Sequence, residues 1–168
     1  MTEHVGTGLP ADDIAFKIRD IMQASGDFDD YYFCIDELPT LPANIQYLCE
    51  IVFEGERVTR VETGSVDRYF FGFIRLARIQ PATFEFDVNQ TAINTGARLL
   101  KADLNKLVIL FSNNTYLGNL AFDSGAVVAR FQVDDGEVDY RVTERDENNY
   151  IYQGSIPAVC LVKEPDTA

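Results

Sequence analysis

The 168-residue sequence has no tryptophan, one histidine and only four lysines (Lys17, Lys101, Lys106 and Lys163), and each shortage closes off a class of function. His4 lies in the polar lead "MTEHVGTG", where nothing holds an imidazole in geometry, so no Ser–His or Cys–His pair is expected. The three cysteines, Cys34, Cys49 and Cys160, are far apart, and no C-x-x-C pair occurs. They read as buried free thiols suited to a reducing compartment, not as a zinc or redox site. "DSGAV" and "QGSIP" lack the second glycine of a nucleophile elbow, and neither G-x-G-x-x-G nor a Walker lysine is present. No window approaches eighteen apolar residues, so no membrane-spanning helix is expected. The lead has neither a basic n-region nor an apolar h-region and does not read as a signal peptide. These shortages together predict no catalytic residues, no cofactor, no metal site and no membrane partner.

Acid is what the chain has in excess. The formal net charge is −13, which disfavours contact with nucleic acid phosphates and anionic lipid, so no sequence-specific nucleic acid binding is expected. "GDFDD" (26–30), "VDDGEVD" (133–139) and "ERDENN" (144–149) offer oxygens, but none has the spacing of a twelve-residue calcium loop, and they read as solvated turns. Basic residues interleave with aromatics once, at Arg68, Arg75 and Arg78; a stacking platform for single strands would need more positive charge around it.

A chain of this length fits one domain that can bury roughly 70% of its unfolded surface. Residues 1–8 read as a flexible lead, 9–163 as a single domain and 164–168 as a flexible tail. In "LPADDIAFKIRDIMQASG", Pro10 suits a first helical position and Asp12 and Asp13 the first turn, while Ile14, Ile18, Ile21 and Met22 form one stripe closed by Gly26. A second helix is predicted in "NQTAINTGARLLKADLNKLVILFSNN", with Asn89 or Thr91 as cap and Ile93, Ala97, Leu100, Leu104, Leu107, Val108 and Phe111 on its apolar side. "YYFCI" reads as a short strand, and "IQYLCEIVF" alternates as a longer one, joined to the next strand by the charged connector "EGERVTRVETGS". "PATFEFDV" reads as a further strand or extended run. "AVVARFQV", "VDYRVT" and "YIYQGSIPAVCLV" read as three strands of an antiparallel meander, reversed at "DDGE" and "ERDENN". The order predicts an α+β fold: an antiparallel sheet with a long β-hairpin and two helices packed on one face.

The second limb of that hairpin, "VDRYFFGFIRLAR" (66–78), poses a packing problem. Tyr69, Phe71 and Phe73 share one face, and Phe70, Ile74 and Leu76 the other. A strand with rings on both faces needs cover on both, whereas helices on one side leave the other to solvent. A further layer of the same chain or another subunit must supply the rest. Tyr69, Phe70, Phe71, Phe73, Ile74 and Arg75 are therefore the candidate subunit-interface residues.

The layout resembles the tail terminator proteins of long-tailed bacteriophages and archaeal viruses. The likeness lies in the order of a short first helix ("DDIAFKIRDIMQAS"), a proline-bearing loop and strand ("LPANIQYLCEIVF"), a long hairpin ("GERVTRVETGSVDRYFFGFIRLARI"), a second helix ("TGARLLKADLNKLVILF") and closing strands. It covers Asp12 to Val162, though "LAFDSGAVVARFQVDDGE" makes this chain longer than the family plan. The resemblance implies a non-enzymatic virion protein of the neck or tail, assembled in the host cytoplasm. Its partners would be copies of itself in a hexameric ring, the tail tube protein and the head-completion proteins. On the residues alone, an acidic non-catalytic binding module, a decoy or inhibitor of a basic partner protein, stands as the alternative.

Overall fold

The two predicted apolar stripes become the two helices of a computed structural model that describes residues 10–36, 44–61, 64–81, 95–133, 139–145 and 149–165. Helix α1 spans Pro10–Ser25 and buries Ile14, Ala15, Ile18 and Met22. Its end is set by Gly26, whose φ of +77° only glycine adopts without strain. Helix α2 spans Thr95–Ser112 and buries Leu100, Leu104, Leu107 and Phe111. Each such side chain contributes about 1.5–3 kcal/mol relative to exposure, which is what binds the helices to the sheet. Asn89, Thr91, Ile93 and most of "PATFEFDV" lie outside the described residues.

Among the described residues, six strands form one sheet: β1 (Tyr32–Cys34), β2 (Tyr47–Val61), β3 (Ser65–Pro81), β4 (Val127–Val133), β5 (Asp139–Arg145) and β6 (Asn149–Pro165). Their order is β1-β2-β3-β6-β4, with β5 also on β6. The fold is α+β, and the sheet is antiparallel except at one edge, where β1 runs parallel to β2. A parallel neighbour needs a connection of about a dozen residues, and residues 35–46 lie between the two strands in sequence.

Three expectations change in detail. The charged segment after Phe53 is not a connector: β2 continues through it to Val61, pairs with Ser65, and makes the β2–β3 hairpin 15 residues long on one limb and 17 on the other. The last three strands do not form a meander. β4 pairs with β6 from Lys163 to Ala158, and β5 with β6 from Ser155 to Tyr150, so both lie end to end along one edge and run in the same direction. Glu164 and Pro165, expected in the tail, belong to β6.

Register decides which side chains meet. Phe70 opposes Cys160, Ile74 opposes Ile156, and Cys49 opposes Leu76; all six are buried with the helical stripes in one core. Phe111 joins α2 to β4 by an edge contact with Phe131, centroids 5.2 Å apart. The outer edge of β4 is closed by the loop before it. There the Phe131 N–H donates to Thr115 O (2.6 Å) and the Val128 N–H to Leu120 O (3.2 Å). Leu117, fully buried, plugs that loop into the core with a left-handed φ of 47°.

Candidate interaction surface

The sheet face turned away from the helices carries Leu48, Glu50 and Val52 of β2, opposite Ala77, Arg75 and Phe73 of β3. Along β3 it continues through Phe71 and Tyr69, whose partners on β6 are Val159 and Leu161, with Pro157 beside Phe73. This face divides in two. Leu48, Val52 and Ala77 are buried although they lie outside the main core, and Glu50 is buried with them. Toward the hairpin tip the cover is lost: Tyr69 and Phe73 are half-buried and Phe71 is 37% exposed.

The open half is a ladder of rings and guanidinium groups. Tyr69 and Phe71 stack at 6.4 Å and 16°. The Arg57 guanidinium lies 4.9 Å from the Tyr69 centroid and 5.9 Å from that of Phe71, and Arg75 lies 4.8 Å from that of Phe73. Each such contact is worth about 0.5–1 kcal/mol at an exposed site. Arg75 also reaches Glu50 Oε1 at 3.3 Å, which offsets the cost of burying that carboxylate.

A bulge in β2 between Phe53 and Gly55 makes the ladder possible. It shifts the register so that Gly55 passes beneath Phe71 and Arg57 falls opposite Tyr69. Gly72 on β3 completes the arrangement. A Cβ there would run into the carbonyl oxygen of Val52 and lie 2.8 Å from Phe53 Cα, so the strands approach too closely for any side chain.

Of the six residues named from the sequence, four (Tyr69, Phe71, Phe73 and Arg75) lie on this face. Phe70 and Ile74 do not: they are buried beneath the helices, at 3% and 0% exposure, because their side chains alternate to the other side of β3. Sequence reading missed Arg57, Val159 and Leu161. Their signal was present in strand alternation, but required knowing that the charged segment is strand and that β6 is the neighbour of β3.

The three arginines interleaved with aromatics are all engaged by acids of this chain. Arg68 pairs with Glu56 at 3.0 Å and Glu164 at 3.2 Å, Arg75 with Glu50, and Arg78 with Asp103 at 3.9 Å. Asp103 of α2 also accepts a hydrogen bond from the Tyr31 hydroxyl at 2.6 Å, tying the helix to the start of β1. Burial first, and this hydrogen bond second, raise the Tyr31 pKa well above the usual phenol range.

Little here suits covalent chemistry. Cys49 and Cys160 are buried free thiols and Cys34 is half-buried. Burial raises the Cys49 pKa strongly and pushes that of Cys160 up to about 12, so neither is a ready thiolate at neutral pH. Among the described residues no three His, Cys, Asp or Glu side chains come together to hold a metal ion. No helix among them is long and apolar enough to cross a membrane. A groove of about 240 Å³ between α2 and β4, lined by Phe111, Ser112, Thr115, Arg130 and Gln132 among others, has no acid or imidazole among the described residues of its lining. No protein-family model matches the chain, and no curated protein matches it.

Proposed function

We propose that this chain is a virion structural protein, a ring-forming tail terminator or neck component that joins the tail tube to head-completion proteins. One observation carries the reading: the Tyr69–Phe71–Phe73 ladder, flanked by Arg57 and Arg75, is partly uncovered on the sheet face away from the helices. Aromatic side chains and arginine are the residue types enriched where proteins meet, and a neighbouring copy would shelter the rings. The succession of helix, strand, long hairpin, helix and strands is the layout on which the resemblance rests. In a ring, the surplus of acid would present negative charge to DNA passing through the lumen and keep it from sticking.

Native mass spectrometry and light scattering, run alone and with tail-tube tips, test the proposal. Hexamers on the tube are expected, and Phe71→Ser should abolish them while leaving the circular dichroism spectrum intact. A chain that stays monomeric at every concentration with tubes present sinks the reading. So does a ring that Phe71→Ser leaves unchanged. A one-to-one complex with a basic protein, without self-association, would favour the decoy instead.

A further inference from the structure

The geometry points to a second self-contact: the outer edge of β2, from Gly55 to Val61, pairs antiparallel with the same edge of a second copy, about a two-fold axis through Val58. β1 covers β2 only at Leu48–Glu50, and beyond it the outer edge of β2 bonds to no described residue. The opposite side of the sheet is treated differently, because loop 115–126 closes the edge of β4 with backbone hydrogen bonds. An unpaired edge is a template for another strand unless charge, a bulge or a covering segment blocks it. Here the bulge at Phe53/Gly55 lies ahead of the pairing segment Gly55–Val61 and does not interrupt it. The edge strand also exposes apolar side chains, with Val58 at 52% and Val61 at 39%.

The edge's own charges name the occupant. Glu56, Val58 and Arg60 oppose Phe70, Arg68 and Val66 in the hairpin, so they share the face that bears the helices. Gly55, Arg57, Thr59 and Val61 share the aromatic face. A continuous sheet across a two-fold axis must set each residue against one from the same face, which allows only registers centred on a residue. Centring on Val58 puts Val58 against its copy, Glu56 against Arg60 twice, Arg57 against Thr59 and Gly55 against Val61, with no like charges opposed. Centring on Arg57 opposes two guanidinium groups. Centring on Thr59 sets Val58 against Arg60 and Arg57 against Val61, and both Glu–Arg pairs are lost. Glu56 is already held at the edge by Arg68 at 3.0 Å, and Arg60 forms no ion pair with a described residue. Of these three registers the strand is self-complementary in one, and a second copy of this chain fits it.

This contact is made along the β2 edge and not by the Tyr69, Phe71 and Phe73 rings, and it does not rest on the ring reading. Sedimentation equilibrium of the full chain, without tubes, tests it on wild type, Val58→Lys, Arg60→Glu and the charge swap Glu56→Arg/Arg60→Glu. A wild-type dimer is expected, weakened roughly ten-fold or more by Val58→Lys, which sets two ammonium groups against each other at the axis. Arg60→Glu should weaken it similarly, and the swap should restore it. Thermal melts confirm folding; if the swap unfolds through loss of the Glu56–Arg68 pair, the two single variants still decide. A wild type that is monomeric throughout overturns the inference. So does a dimer unmoved by both single variants, or an edge that binds an unrelated extended peptide while the chain itself stays monomeric. Phe71→Ser keeps the two proposals apart: the edge dimer survives it, whereas the ring does not.

Discussion

Replacing Gly72 by alanine should disrupt the sheet at the point where the aromatic ladder is set. The added methyl would enter the carbonyl oxygen of Val52 and lie 2.8 Å from the Cα of Phe53. Both are backbone atoms in the neighbouring strand, so no side-chain rotation relieves the clash. β2 must move away from β3 or change register. Overpacking of this kind costs about 1–3 kcal/mol, and each backbone hydrogen bond loosened at the bulge adds about 1 kcal/mol. A total of about 3 kcal/mol is expected, which for a chain of this size lowers Tm by about 6–12 °C. Urea titration followed by circular dichroism, with thermal melts alongside, measures it. Gly55→Ala is the internal control, because its Cβ would meet only Phe71 Cβ and Cδ2 at ordinary contact distances of 3.7 and 3.9 Å. If Gly72→Ala is within about 0.5 kcal/mol of wild type, the close strand approach does not exist and the argument about the bulge fails.

Two further outcomes follow from the buried polar groups. Asp103→Ala removes the acceptor of the Tyr31 hydroxyl and an anionic partner of Arg78, and should cost about 2–3 kcal/mol; a cycle with Tyr31→Phe should show the two losses to be strongly non-additive, and additivity would refute the bond. At alkaline pH the folded state holds protons on Cys160, Cys49 and Tyr31 that the unfolded chain releases, since all three pKa values are raised on folding. Their contribution is complete below the ordinary thiol range, and is lost as pH rises from about 9 through the Cys160 value of about 12. Urea midpoints across pH 8–11 should fall steadily, and Cys160→Ala should flatten part of that slope; a midpoint that stays level or rises would refute it.

Helix periodicity was legible because it is local. Ile14, Ile18 and Met22, or Leu100, Leu104, Leu107 and Phe111, declare their stripe within two or three turns, and the structure buries them all. Strand alternation was legible too, and it correctly separated Phe71 from Phe70. Pairing was not, because it depends on partners far along the chain. "DDGE" has the composition of a reversing turn, yet the strands beside it run the same way along β6, which no local preference encodes. The charged stretch 54–61 has the polarity of a linker, yet it is strand, exposed on both faces, with Val58 on the side that bears the helices and Val61 on the aromatic side. The candidate surface was half visible for the same reason: its rings came from one strand, its arginine and aliphatic neighbours from two others.

The position of β6 also constrains how the molecule comes into being. It is the last of the described strands yet sits inside the sheet, gripped by β3 along one side and by β4 and β5 along the other. While the chain is being synthesised, the hairpin limb bearing Tyr69, Phe71 and Phe73 has no inner neighbour until residues 149–165 emerge from the ribosome. The nascent protein thus presents a greasy, unpaired ribbon at the moment it is most concentrated beside its sisters on a polysome. Accumulation in soluble form should depend on holdase chaperones during translation, far more than the finished fold would suggest.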